Sequence, residues 1–195
     1  NIPDRFHDWK VEDYLVEPYS FVNKYQDGNE LAMDIFDPGC SVCLQSYRNQ
    51  KSSGFFDKYN TVLMVYAIQL PDGSYKFNNS DLIAKYMHAA DMLDTDYAGK
   101  ILDRLFTGVN DKGVIYQSVL MQSSSEEAEH ILQAWLAEFG MDKKELEQLI
   151  EVAHSEEVVQ IMQEVKTMVE DKIHAKGIPT LIYDGKKHNG LYKAD

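Results

Sequence analysis

The amino-acid sequence predicts an α/β domain interrupted by a helical insert, on three features of its apolar pattern. Two short apolar runs, at 31–36 and 61–70, flank a helical segment. The helical period then holds from about residue 80 to 176, and a strand pattern with a hairpin signal returns after Gly177. Short apolar runs bounded by turn formers mark strands, and apolar residues three and four apart mark helices. The order is therefore strand, helix, strand, helical block, strand hairpin. It divides the chain into a discontinuous sheet domain, 1–79 with 177–195, and an inserted helical domain, 80–176.

Leu31-Ala32-Met33-Asp34-Ile35-Phe36 reads as a buried strand stopped by Asp37-Pro38-Gly39. From Cys40 the pattern turns helical, with Cys43, Leu44 and Tyr47 on one side, until Ser52-Ser53-Gly54. The run 61–70 is rich in Val, Leu, Ile and Tyr and ends at Pro71-Asp72-Gly73, a second buried strand. Within the helical block, Ser124 with Glu127 and Asp142 with Glu145 have the spacing of capping boxes, and Gly140 follows the first of these helices. Ser155 opens the last helix. Its apolar stripe runs from Val158 to Ile173, and Lys172, His174 and Lys176 occupy the final turn before Gly177, where cations suit the helix dipole. Thr180 to Tyr183 is a short strand, Asp184-Gly185 a hairpin turn, and 188–192 the expected partner.

The net charge of −13 excludes electrostatic nucleic-acid binding, which needs a basic face to displace counterions from phosphate. With 44% apolar residues and no low-complexity tract, disorder is excluded for the bulk of the chain. No run is long enough for a membrane span. The chain begins at Asn1, which reads as an end left after an upstream leader or anchor is removed.

Both cysteines fall in one motif, Cys40-Ser41-Val42-Cys43. A structural zinc site takes four ligands, and the six histidines show no ligand-like spacing beside this pair, so no metal and no organic cofactor is expected. Two cysteines at this spacing in the first turn of a helix can instead close a small, reversible disulfide. Unpaired N–H groups and the positive dipole end favour thiolate at the first cysteine, and the second lies one turn deeper. Cys40 is thus the expected exchanging sulfur, accessible to a substrate, and Cys43 the resolving one.

Strand, C-x-x-C and helix in this order, with an X-Pro step much later, resemble thioredoxin-fold oxidoreductases. The long helical block between the second strand and Gly177-Ile178-Pro179-Thr180 resembles the DsbA-like branch, over about residues 30 to 190. The resemblance implies a cis-proline loop at Ile178 and Pro179 that binds an extended substrate segment beside Cys40. It also implies a buried acid at Asp34, six residues before Cys40, that exchanges a proton with Cys43. Strand alternation alone leaves a solvated face open for Asp34, and Pro179 alone could simply break a helix. The implied activity is a monomeric, extracytoplasmic (periplasmic or envelope) enzyme that forms or exchanges disulfides in cysteine-containing substrate proteins, with a membrane redox partner. Two other readings fit the same motif: a non-catalytic binding or chaperone-like protein with a structural disulfide, and a metal-binding protein using the two cysteines.

Three departures from the DsbA pattern carry expectations. Ser41-Val42 stands where DsbA has Pro-His, so no imidazole stabilises the Cys40 thiolate, and a less acidic cysteine and a less oxidising enzyme follow. Gly39 replaces an aromatic, which implies a more open local surface. The sequence ends at Asp195 without a terminal helix, so either the fold is trimmed or the N-terminal thirty residues, rich in Tyr and Phe, cover that face of the sheet.

Overall fold

A computed structural model describes residues 6–194; the chain start at Asn1, read as a processed end, lies outside them. The first apolar run forms β1 (Glu30–Phe36) and the second forms β2 (Tyr59–Val65), paired in parallel from Glu30 opposite Tyr59 to Phe36 opposite Val65. Their connection is helical, through α1 (Ser41–Ser52) and the short α2 (Phe55–Lys58). On the other side of β1 lies β3 (Thr180–Tyr183), antiparallel, with β4 (Lys186–Asn189) antiparallel beyond it, so the order is β2-β1-β3-β4. β1 is flanked by strands on both edges and covered on both faces, which is why its sequence is nearly continuous in apolar residues.

Two strand boundaries differ from the sequence reading. The second run leaves the sheet at Val65, not residue 70; beyond it Gln69 bridges to Tyr75 around a turn in which Gly73 takes φ +90°. The hairpin partner occupies Lys186–Asn189 instead of 188–192. Asp184 and Gly185 both have positive φ, 52° and 71°, and a two-residue turn of that kind lets pairing resume at once, Tyr183 opposite Lys186.

Alternation along β1 sends Ala32, Asp34 and Phe36 to one face and Met33 and Ile35 to the other. The first face packs against α1 and the helical block: α3 (Ser80–Met92), α4 (Tyr97–Thr107), α5 (Tyr116–Met121), α6 (Ser125–Glu138) and α7 (Lys143–Ala153). Both capping boxes form, Ser124 with Glu127 and Asp142 with Glu145. Gly140, at φ +110°, ends α6 in a Schellman motif, its N–H on the Ala137 carbonyl and that of Met141 on Leu136.

The second face holds Met33, Ile35, Val62, Met64 and Ile182. The N-terminal segment covers part of it with Trp9, Val11 and Val16, and its own backbone extends the β2 edge where Phe21 bridges to Val62. The remainder is covered by α8 (Glu156–Thr167) and the π-helical turn Met168–Ile173 that continues it, through Ile161, Val165, Val169 and Ile173. These residues fall within 80–176 of the sequence, yet their apolar stripe packs on the sheet. The helix also ends earlier than Gly177: His174 adopts the left-handed conformation and the Lys187 ammonium donates to the Ile173 carbonyl, closing the helix from the hairpin side. His174 and Lys176 therefore lie beyond the last turn.

Candidate functional site

The Cys40–Cys43 pair sits where β1 delivers the chain to α1. Cys40 is the N-cap of α1, with extended φ and ψ (−83°, 120°), and its Sγ accepts the Cys43 N–H at 3.2 Å. A cap sulfur in this position receives the hydrogen bonds that the first helical turn leaves unpaired, which favours the thiolate. The Cys43 thiol and the N–H groups of Cys43 and Val42 pull the Cys40 pKa down to about 7, against burial and the nearby Asp37 carboxylate, which push it up. Cys43 goes the opposite way: burial first, then its hydrogen bond to Cys40, hold it well above the ordinary thiol range. The structure describes the two sulfurs as free thiols. The order of exposure is the expected one, 7% for Cys40 and 1% for Cys43, but Cys40 is a narrow window and not an open sulfur.

Asp34 lies on the face of β1 beneath α1 and is 2% exposed, so the solvated-face alternative for this residue is wrong. It shares its face with Ala32 and Phe36, which lie in the core against α1 and the helical block, so its side chain enters that core. Its Oδ1 has no hydrogen-bond partner among the described residues. Burial, then the charge of Cys40, raise its pKa to about 7.

The Ile178–Pro179 peptide is cis, Pro179 is buried and Ile178 half-buried. The register of β3 on β1 ends at Thr180 opposite Ile35, which carries Pro179 to the end of β1 from which the Cys40 loop departs. The Pro179 carbonyl accepts from Gly190, so this loop is tied to the end of β4.

No protein-family model matches the chain, and no curated protein matches it either. Solved structures do. The thiol–disulfide exchange protein alpha-DsbA2 from Wolbachia pipientis aligns over 94% of this chain and 86% of its own, with a TM-score of 0.58 at 18% identity. MdbA, a thiol–disulfide oxidoreductase from Actinomyces oris, aligns over 88% and 79%, with a TM-score of 0.60 at 12% identity. The cytosolic disulfide reductase DsbM from Pseudomonas aeruginosa aligns over 83% and 89%, with a TM-score of 0.56 at 14% identity. The chain has the DsbA-like thioredoxin fold.

In this DsbA-like fold the helical block reaches back to the redox loop through residues that periodicity could not single out. Gln117, in the first turn of α5, donates from Nε2 to the carbonyls of Pro38, at 2.9 Å, and Cys40, at 3.0 Å. A glutamine within a short, weakly patterned helix carries no signal of such a role. Tyr47, one turn past Cys43, donates from its hydroxyl to Asp103 of α4 at 2.8 Å, and the Arg48 guanidinium donates to the Phe106 carbonyl. Asp37, read from sequence as a turn residue, is 0% exposed, and its two carboxylate oxygens accept from Gly39, Ile68 and Ser80.

Gly39 corrects one expectation. A glycine there does not open the surface: a Cβ on it would stand 2.3 Å from the Phe77 Cβ and 2.8 Å from the Met121 sulfur. Phe77 and Met121 occupy the space next to this backbone, so Gly39 is what close packing of loop against insert requires. Gly39→Ala is expected to destabilise the protein by roughly 1–3 kcal/mol, as overpacking a filled site does. Urea unfolding of the two proteins measures it, and equal midpoints would show that Phe77 moves aside freely.

Proposed function

We propose that this protein is a thiol–disulfide oxidoreductase that forms or exchanges disulfides in secreted or envelope proteins through the Cys40–Cys43 pair. The observation that carries the reading is the asymmetry of the two sulfurs. Cys40 caps a helix and is held near pKa 7, while Cys43 is buried one turn deeper and held protonated. In the oxidising direction a substrate thiolate attacks the Cys40 sulfur of the enzyme disulfide, and Cys43 leaves and takes up a proton. A second substrate thiolate then attacks the substrate sulfur and expels Cys40 as a thiolate, so two electrons pass from two substrate thiols to the pair. Asp34, with its pKa near 7 and its carboxylate in the field of both sulfurs, is assigned the proton exchange with Cys43. Ile178 and Pro179 are assigned the binding of an extended substrate segment, supported by their place at the end of β1 next to the Cys40 loop.

The protein is proposed to act as a monomer outside the cytoplasm and to be reoxidised by a membrane partner; no helix among the described residues is long and apolar enough to cross a membrane itself. Substrates are proteins with accessible cysteines. The fold occurs in an exchange protein and in a cytosolic reductase alike, so the direction of electron flow rests on the redox potential.

That potential is the test. A Cys40 pKa near 7 is close to thioredoxin's and far above DsbA's, and a weaker thiolate makes a weaker oxidant. Equilibration with a glutathione series, read by trapping free thiols, is expected to give a reversible transition between about −270 and −180 mV. A transition toward the oxidising end of that window supports the envelope assignment, and one at the reducing end moves the protein to the reductases. A pair that never exchanges with glutathione would overturn the catalytic reading and leave a structural disulfide.

A further inference from the structure

Asp37 holds more of the redox loop than any other side chain in it. Its Oδ1 accepts the Gly39 N–H at 2.9 Å and the Ser80 hydroxyl at 2.8 Å, and its Oδ2 accepts the Ile68 N–H at 2.8 Å. These donors come from three places: the loop itself, the segment that follows β2, and the first residue of α3. The Asp37 main chain faces both cysteines. Its carbonyl accepts the Cys40 N–H at 3.1 Å, and its N–H is directed at the Cys43 sulfur. A fully buried carboxylate with a backbone N–H on each oxygen is arranged for the ionised form, since each donor stabilises the charge that burial disfavours.

We propose that Asp37 is a positioning residue with two opposed effects on Cys40: it clamps the loop that makes Cys40 a helix cap, and its buried charge restrains how acidic that cysteine becomes. The clamp aligns the Cys40 sulfur with the N–H groups of Val42 and Cys43. The charge lies beside the same sulfur and opposes a second negative charge there. Burial raises the Asp37 pKa, its three donors and the Lys76 ammonium lower it, and its charge raises that of Cys40. The other titratable groups facing this locus are Asp34 and Cys43 from below and the Tyr66 phenol, which also feels Asp37. The inference extends the reading of Cys40 as the exchanging thiol, but the thiolate titration that tests it is independent of exchange activity.

The experiment is the thiolate absorbance of the reduced full chain against pH, in Asp37→Asn and in Ser80→Ala. Removing the charge in Asp37→Asn is expected to lower the Cys40 midpoint, giving about tenfold more thiolate at a fixed pH below it. Ser80→Ala leaves the charge in place and takes away one donor that disperses it, so its midpoint is expected to rise. A purely structural clamp gives a rise in both, because loosening the cap returns Cys40 toward an ordinary thiol. Two upward shifts, or none, overturn the proposal. If Asp37→Asn does not fold, Asp37→Ser, which also removes the charge, takes its place: a lowered Cys40 midpoint supports the restraint, and a raised or unmoved one ends it. The glutathione equilibrium of the unaltered protein is a separate measurement, so failure of the oxidoreductase reading and failure of the Asp37 inference are told apart.

Discussion

Replacing Cys40 by serine is expected to abolish disulfide exchange, and replacing Cys43 by serine to halt it halfway. The serine hydroxyl neither ionises near neutral pH nor forms a disulfide, so Cys40→Ser removes both the attacking thiolate and the sulfur that a substrate attacks. Turnover with a disulfide-bonded peptide is expected to fall on the order of a thousandfold or more. Cys43→Ser keeps the helix cap, because the hydrogen bond to the Cys40 sulfur comes from the main-chain N–H of residue 43. Cys40 should therefore still attack, and the covalent enzyme–peptide adduct, no longer resolved from within, should accumulate. Mass spectrometry of the non-reduced mixture reads this directly. Exchange that survives in Cys40→Ser would sink the assignment of roles. An equal adduct yield from Cys40→Ser and Cys43→Ser would show two equivalent sulfurs, against the difference in burial and acidity between them.

The second large effect is expected at Asp34, and its sign follows from linkage. The carboxyl titrates near its ordinary value, 3.8, in the unfolded chain and near 7 in the folded one. Below pH 4 both states are protonated and the group favours neither. Between pH 4 and 7 the folded state binds more protons than the unfolded one, so stability falls as pH rises, and above pH 7 the full penalty of a buried charge remains. Asp34→Asn removes that penalty. The variant should match the parent near pH 4 and exceed it above pH 7 by a few kcal/mol, in urea unfolding of the reduced proteins from pH 4 to 8. The same substitution deprives Cys43 of the proton carrier proposed for it, and resolution should slow by on the order of a hundredfold. Greater stability with slower chemistry is the mark of a charge buried for function. Parallel stability curves across this range would show that the Asp34 carboxyl ionises as readily in the folded protein as in the unfolded chain.

The legible part of the site was its local part. Cys40 and Cys43 announce themselves by spacing and by the change from strand to helix at Asp37-Pro38-Gly39. The caps at Ser124, Asp142 and Ser155 were readable because each bonds to a residue three positions away, within reach of a motif. The termination of the last helix was misjudged for the opposite reason. Its closing contact comes from Lys187, on a hairpin that the helix itself does not encode, and the π turn before it leaves the apolar stripe unbroken. Gly39 was misread because an absent side chain says nothing about what fills its place, and here Phe77 and Met121 fill it.

The sequence by itself determined the order of strands and helices, the redox motif at a helix start, and the charge that excludes a nucleic-acid partner. These depend on periodicity, turn chemistry and composition, which act over a few residues. Only the tertiary structure decided that Asp34 is buried, that α8 covers the sheet, and that Gln117, Ser80 and Ile68 hold the loop around Cys40. Those outcomes arise where segments far apart in the chain meet. A sulfur's acidity is set by the dipoles and charges within a few ångströms of it, whatever their distance in sequence.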